Sequence, residues 1–196
     1  MEQNVQIWSQ RTKTIYNGVL IYIICQLLYT IFGSIGAVTV TNTFRVLAYA
    51  LLAGVIIGYF IFFKGLTDFR RLLGPADSAA INRVRMGVLL GLIAAILGFI
   101  RPIAWLNPVL SAIGFILMLL GYNALKNSTT FPMEGRKGAS RLFVAMILAI
   151  AGALLSLIPV AGGFINTVCL IVVVFMTLSG WAAIRDSSPA EVYPIP

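Results

Sequence analysis

The stretch from Ile81 to Ser128 most limits what this chain can become: INRVRMGVLLGLIAAILGFIRPIAWLNPVLSAIGFILMLLGYNALKNS. Two apolar runs flank a turn made of Arg101, Pro102, Trp105, Asn107 and Pro108. Arg83 and Arg85 precede the first run and Lys126 follows the second. A helix needs roughly 20 mostly apolar residues to cross a hydrocarbon core of about 30 Å, so the stretch reads as one transmembrane hairpin. The remainder divides in the same way. With 60% hydrophobic and 10% charged residues and a mean hydropathy of +0.97, the chain lacks the polar surface of a soluble domain.

Taken in order, the spans fall at Ile15 to about Gly33, Thr43–Phe63, Met86–Ile100, Pro108–Leu125, Leu142–Leu157 and Thr167–Ile184. The residues from Met1 to Lys13 read as a polar tail. Gly65–Arg85 and Lys126–Arg141 read as polar loops, with Pro75 placed to start a helix that runs on into the third span. The tail lacks a small-residue cleavage site before the first apolar run, which is therefore expected to be retained as a helix.

The expected fold is an all-α integral membrane protein. Its six transmembrane helices form three tandem parallel hairpins, at about 15–64, 82–126 and 141–185, followed by an irregular tail at 186–196. The tandem reading rests on an internal repeat. Asn107, Gly121 and Lys126 recur as Asn166, Gly180 and Arg185, each displaced by the same 59 positions. A looser first copy runs from Asn42 through Gly58 to Lys64, with two extra residues between Asn and Gly.

Basic residues set the expected orientation. Arg11, Lys13, Lys64, Arg70, Arg71, Arg83, Arg85, Lys126, Arg136, Lys137, Arg141 and Arg185 lie on one side, and only Arg45 and Arg101 on the other. Both termini are thus expected in the cytoplasm. The net charge of +8, read in this setting, belongs to topology and anionic headgroups, not to nucleic acid.

The outer turns supply the only candidate site: Asn42, Asn107 and Asn166 with Arg45 and Arg101. One reading makes them the mouth of a path for a small neutral or anionic solute. The other makes the asparagines helix N-caps, with Pro108 at the first helical position, and the arginines anchors that reach the headgroups. Trp105 and Trp181 fit interfacial belts. Gly54/Gly58, Gly87/Gly91 and Ala145/Ala149/Ala153 are small-residue stripes suited to close helix packing, within the chain or between copies. Most of Asn17, Gln26, Ser111, Asn123, Ser156, Thr167, Thr177 and Ser179 are expected to bond between helices.

All six acidic residues lie outside the spans, and the chain has no His. Proton relay by buried carboxylates is therefore disfavoured. Cys25 and Cys169 have neither disulfide nor metal spacing, and no nucleophile has a base beside it. No enzyme activity, cofactor or metal is expected. The expected partners are the lipid bilayer and a second copy or another membrane protein.

The middle hairpin resembles the HdeD-type family of small bacterial membrane proteins. The resemblance lies in RVRMGVLLGLIAAILGF (Arg83–Phe99), the proline-bearing turn and IGFILMLLGYNALKNS (Ile113–Ser128). It implies a six-helix protein of the bacterial inner membrane, linked to stress or acid tolerance, with no defined active site to carry over.

Overall fold

The computed structural model describes residues 2–38, 42–97, 100–158 and 162–187. The order of elements is α1 (Glu2–Val38), α2 (Asn42–Arg70), α3 (Pro75–Leu97), α4 (Leu106–Lys126), α5 (Met133–Leu155) and α6 (Gly162–Asp186). A 3-10 turn at Arg101–Ile103 leads into α4. All six helices are long and apolar enough to cross a membrane.

Several helices start earlier or run further than the apolar runs. The N-terminal tail joins α1, Gly65–Arg70 completes α2, Pro75 is the first residue of α3, and α5 begins eight residues before Arg141 at Met133. The polar loops expected at Gly65–Arg85 and Lys126–Arg141 are therefore mostly helical. At its 37 residues, α1 is about 55 Å long, well beyond the bilayer core.

The reason lies in periodicity. Leu66 and Phe69 on α2, and Ala80, Ile81 and Val84 on α3, recur at helical spacing among polar neighbours, and all five are buried. One apolar stripe is enough to hold such a segment against a core. A hydropathy average over the same residues sees mainly their charges.

Each helix packs most extensively on its chain neighbour: α1 on α2, α3 on α4 and α5 on α6. Lesser contacts of similar extent join α2 to α3, α4 to α5 and α6 to α1, so the three pairs close into a ring. Every pair is antiparallel and meets at a glycine. A Cβ on Gly58 would lie 2.5 Å from the Tyr22 backbone nitrogen. On Gly121 it would lie 2.8 Å from the Ala80 carbonyl oxygen, and on Gly180 2.9 Å from that of Gly138. The stripe Gly54/Gly58 and Gly87 are thus used inside the chain, against Cys25, Tyr22 and Gly114. Such backbone approach is how helices gain packing energy where no hydrophobic effect drives them together.

The core sits at the end of the ring that carries the N-terminus of α1 and the C-terminus of α6. One aromatic layer joins Phe62 (α2), Tyr122 (α4) and Trp181 (α6), with Trp181 5.7 Å from Phe62 and 6.2 Å from Tyr122 between ring centroids. A second joins Trp8, Phe69 and Phe131, with Trp8 4.8 Å from Phe69 and 5.9 Å from Phe131. Trp8 Nε1–H donates to the Ile184 carbonyl at 3.2 Å, tying the first helix to the last. The Thr130 hydroxyl donates to the buried Asp77 carboxylate at 2.8 Å, tying the α4–α5 connection to the start of α3.

Trp181 is 1% exposed and does not belong to an interfacial belt. It directly follows the close-approach glycine Gly180, a register that turns it into the core. Trp105, 67% exposed, stays at the surface as the belt reading expects.

Candidate functional site

The outer turns do not form the arrangement that three capping asparagines would give. Asn107 is the second residue of α4, whose N-cap position is Trp105, and Trp105 makes no side-chain cap bond. The 3-10 turn runs almost directly into α4, so helical structure begins before Asn107 and Pro108 takes the third helical position. Proline is tolerated there because the first four helical N–H groups have no partner within the helix. Asn166 is the fifth residue of α6, which opens on Gly162. Neither asparagine is an N-cap.

Asn107 Oδ1 instead accepts from Ser111 Oγ at 3.1 Å on the same helix. Asn166 Oδ1 rests against α5, where a Cβ on Gly152 would lie 3.0 Å from it. Asn42 begins α2, Arg45 is its fourth residue and Arg101 opens the 3-10 turn. The side chains of these three lie outside the described residues. The two extra residues between Asn42 and Gly58 turn a helix by about 200°, so Asn42 does not share the register of Asn107 and Asn166.

That shared register leads to a group the sequence reading undervalued. Eleven residues make about three helical turns, so positions eleven apart lie on one face. Counting outward from buried core residues in this way, Val19 leads to Thr30, Val84 to Ala95, Leu142 to Ala153 and Trp181 to Leu170. Ser111 and Asn107 lie seven and eleven residues before Met118, which packs on the core. Val19, Val84, Leu142 and Trp181 are at most 3% exposed. Thr30, Ala95, Ser111, Ala153 and Leu170, on the continuations of those faces, are exposed, while Gln26, Asn107 and Asn166 are half-buried. The core-facing stripes are closed at one end of the ring and open at the other.

The hydroxyls in the spans do not join helices as expected. Ser156 donates to Ala153 O, Thr167 to Gly163 O and Ser179 to Met176 O, each within its own helix. A hydroxyl reaches the carbonyl three or four residues back without any neighbour having to be placed for it. The bonds that do cross between helices come mostly from the basic end: Arg70 Nη1 donates to Asn82 Oδ1 at 2.7 Å, and Trp8 to Ile184 O.

That basic end is the second candidate region. At each contact between neighbouring pairs, a cation lies over an aromatic ring. Arg85 is 5.6 Å from the Phe63 centroid at α2–α3. Lys126 is 4.0 Å from Phe143 at α4–α5, and Arg185 is 4.8 Å from Tyr16 at α6–α1. Relative to the close-approach glycines, Phe63 and Lys126 hold matching positions, as do Arg85 and Phe143; the cation and the ring have changed places. Two carboxylates here are engaged away from the seam cations, Asp68 with Arg11 at 2.9 Å and Glu134 with Lys137 at 2.6 Å, whereas Asp186 pairs with the seam cation Arg185 at 2.8 Å.

Among the described residues no group of three or more His, Cys, Asp or Glu is placed to hold a metal ion. No family model matches the chain, and no curated protein or solved structure matches it.

Proposed function

We propose that this polytopic membrane protein is non-enzymatic and works by packing against lipid, a second copy or another membrane protein. We further propose that it consists of three tandem parallel hairpins, with both termini on the cytoplasmic side of a bacterial inner membrane and a role in stress or acid tolerance. The observation that carries the packing reading is the pair of long apolar faces on α4 and α6. The N-cap residue Trp105 with Val109, Ile113, Ile116 and Leu120 on α4, and Phe164, Val168, Ile171 and Phe175 on α6, are all at least 45% exposed. Each set follows one helical face at spacings of three and four. The glycine stripes are already used inside the chain, so a contact between copies would use these faces.

The repeat reading is supported by the glycine set Gly58, Gly121 and Gly180 and by the exchanged cation and ring at Phe63/Arg85 and Lys126/Phe143. The orientation is supported by the twelve basic residues at one end. The link to stress or acid tolerance rests on the resemblance of Arg83–Ser128 alone.

A second reading, a channel or uncoupled transporter for a small neutral or anionic solute, is favoured by one observation. Asn107, Ser111 and Asn166 lie on core-facing stripes that open at the outer end. Against it stands the floor of Phe62, Tyr122 and Trp181, which fills the same line further in.

Native mass spectrometry from a mild detergent separates the two. The packing reading predicts a defined homo-oligomer or a stoichiometric partner. A bare monomer, together with solute flux in liposomes that Arg101→Ala alters at unchanged yield, would replace it with the transport reading. For orientation, a lone cysteine at Ser128 in a chain without Cys25 and Cys169 should stay unlabelled by a membrane-impermeant maleimide in intact cells. Labelling from outside would reverse the proposed topology.

A further inference from the structure

We infer that two of the three contacts between hairpins, α2–α3 and α4–α5, each hold the headgroup of an anionic phospholipid at the basic end of the ring. This rests on the membrane reading and is independent of the packing role.

The two seams share a construction that the third lacks. At α2–α3, Arg85 lies over Phe63, and Arg70, seven residues beyond Phe63 on the same face of α2, reaches across to Asn82. At α4–α5, Lys126 lies over Phe143, and Arg136, seven residues before Phe143, shares its face of α5. Each seam therefore has two cations and a ring. Each also has a guanidinium with an unmet need: Arg85 Nε and Arg136 Nε are buried and have no hydrogen-bond partner. A buried donor on a cation is costly to leave unpaired, and the guanidinium fork matches phosphate oxygens.

Among the described residues no carboxylate supplies that acceptor. Asp68 is held by Arg11 from the far side of its hairpin, Glu134 by Lys137 on its own helix, and Asp77 accepts from Thr130. Basic pockets between transmembrane helices at the cytoplasmic face are where anionic headgroups bind. Acyl chains have a surface to follow as well. Ile56, Phe60, Met86 and Ile93 are exposed on α2 and α3, and Val144 and Ile147 on α5.

The third seam breaks the pattern twice. Arg185 lies over Tyr16 but also donates to both carboxylate oxygens of Asp186, at 2.8 and 3.2 Å. The residue seven before Tyr16 is Ser9, not a cation. With its charge neutralised and no cation at the position that Arg70 and Arg136 hold in the other two seams, this seam should not select an anionic lipid.

The test is native mass spectrometry of the full chain in mild detergent, titrated with phosphatidylglycerol, phosphatidylcholine or inorganic phosphate. Two phosphatidylglycerol molecules should bind more tightly than any further ones, and phosphatidylcholine should show no such step. Arg85→Gln and Lys126→Gln should each weaken one of the two by about fivefold, the usual contribution of one basic residue near an anionic surface. Arg185→Gln should leave both. Arg70→Gln, on a half-buried side chain, gives a second route to the α2–α3 site should Arg85→Gln fail to fold. Equal retention of the two lipids, unchanged binding in both α2–α3 variants, or equal loss in Arg185→Gln would overturn the inference. Displacement of the lipid by millimolar phosphate would also overturn it, because the site would then be one for a free ion. Failure of the membrane reading would look different: the wild-type chain would itself be absent from the membrane fraction.

Discussion

Gly58→Val is expected to abolish the native fold of the first helix pair, costing about 3 kcal/mol or more. A Cβ at Gly58 would sit 2.5 Å from the Tyr22 nitrogen and 2.8 Å from its Cα. Both atoms are backbone, so no rotamer change relieves the clash and the helices must move apart. Separation would also loosen Tyr22 from Tyr59, whose rings meet edge to face at 4.7 Å. The measurement is thermal unfolding in detergent, alongside yield in the membrane fraction. Gly163→Ala is the control: nothing lies within 4 Å of a Cβ there, and alanine favours a helix over glycine by roughly 1 kcal/mol. Wild-type stability in Gly58→Val would mean that α1 and α2 do not meet at this register.

Trp181→Ala should cost about 3–5 kcal/mol, the range for truncating a large buried aromatic. Trp181 touches Phe62 of one hairpin and Tyr122 of another, so the cavity would open where all three hairpins meet. Trp181→Phe is expected to be nearly neutral, within about 1 kcal/mol. It keeps a ring in place and removes a buried Nε1–H whose one polar contact, with the Tyr122 side chain, falls short of a well-formed hydrogen bond, so little hydrogen bonding is lost. Trp8→Phe should behave differently and lose about 1 kcal/mol or more, because Trp8 Nε1–H does have an acceptor, the Ile184 carbonyl. Equal losses in both Phe variants would contradict the assigned hydrogen bonding; a harmless Trp181→Ala would contradict the aromatic floor.

The number of spans was legible because each apolar run is long enough to cross a bilayer and has polar residues at its ends. The lower part of the bundle was not. Residues such as Phe69, Ile81 and Phe131 stand among polar and charged neighbours, and a reading by mean hydropathy passes over them although they form the best-buried part of the core. Pro75 was read correctly as a helix start, because proline at that position has a local cause.

The site was less legible than the fold. Asn107 and Asn166 were visible as a matched pair, but their position at the end of an apolar run suggested caps. Where a helix begins depends on the preceding turn, and the 3-10 turn before α4 adds helical residues that the apolar pattern does not mark. Trp181 illustrates the same limit. Its type suits an interface, and only its place after Gly180 on a particular helical face makes it core. The seam cations were read only as topology signals and general contacts for anionic headgroups, since nothing in a linear sequence brings Lys126 to Phe143 or Arg185 to Tyr16.

The central claim is that three hairpins close into a ring, with the last helix against the first. Cysteine pairs at the three seams test it directly, in a chain with Cys25 and Cys169 replaced by Ser. The pairs are Phe63/Arg85, Lys126/Phe143 and Tyr16/Arg185, each treated with a short bis-maleimide in native membranes. The closed ring predicts intramolecular cross-links in all three, with the Tyr16/Arg185 product as the one that joins α1 to α6. Cross-linking at the first two seams without the third would describe an open row of hairpins and contradict the ring.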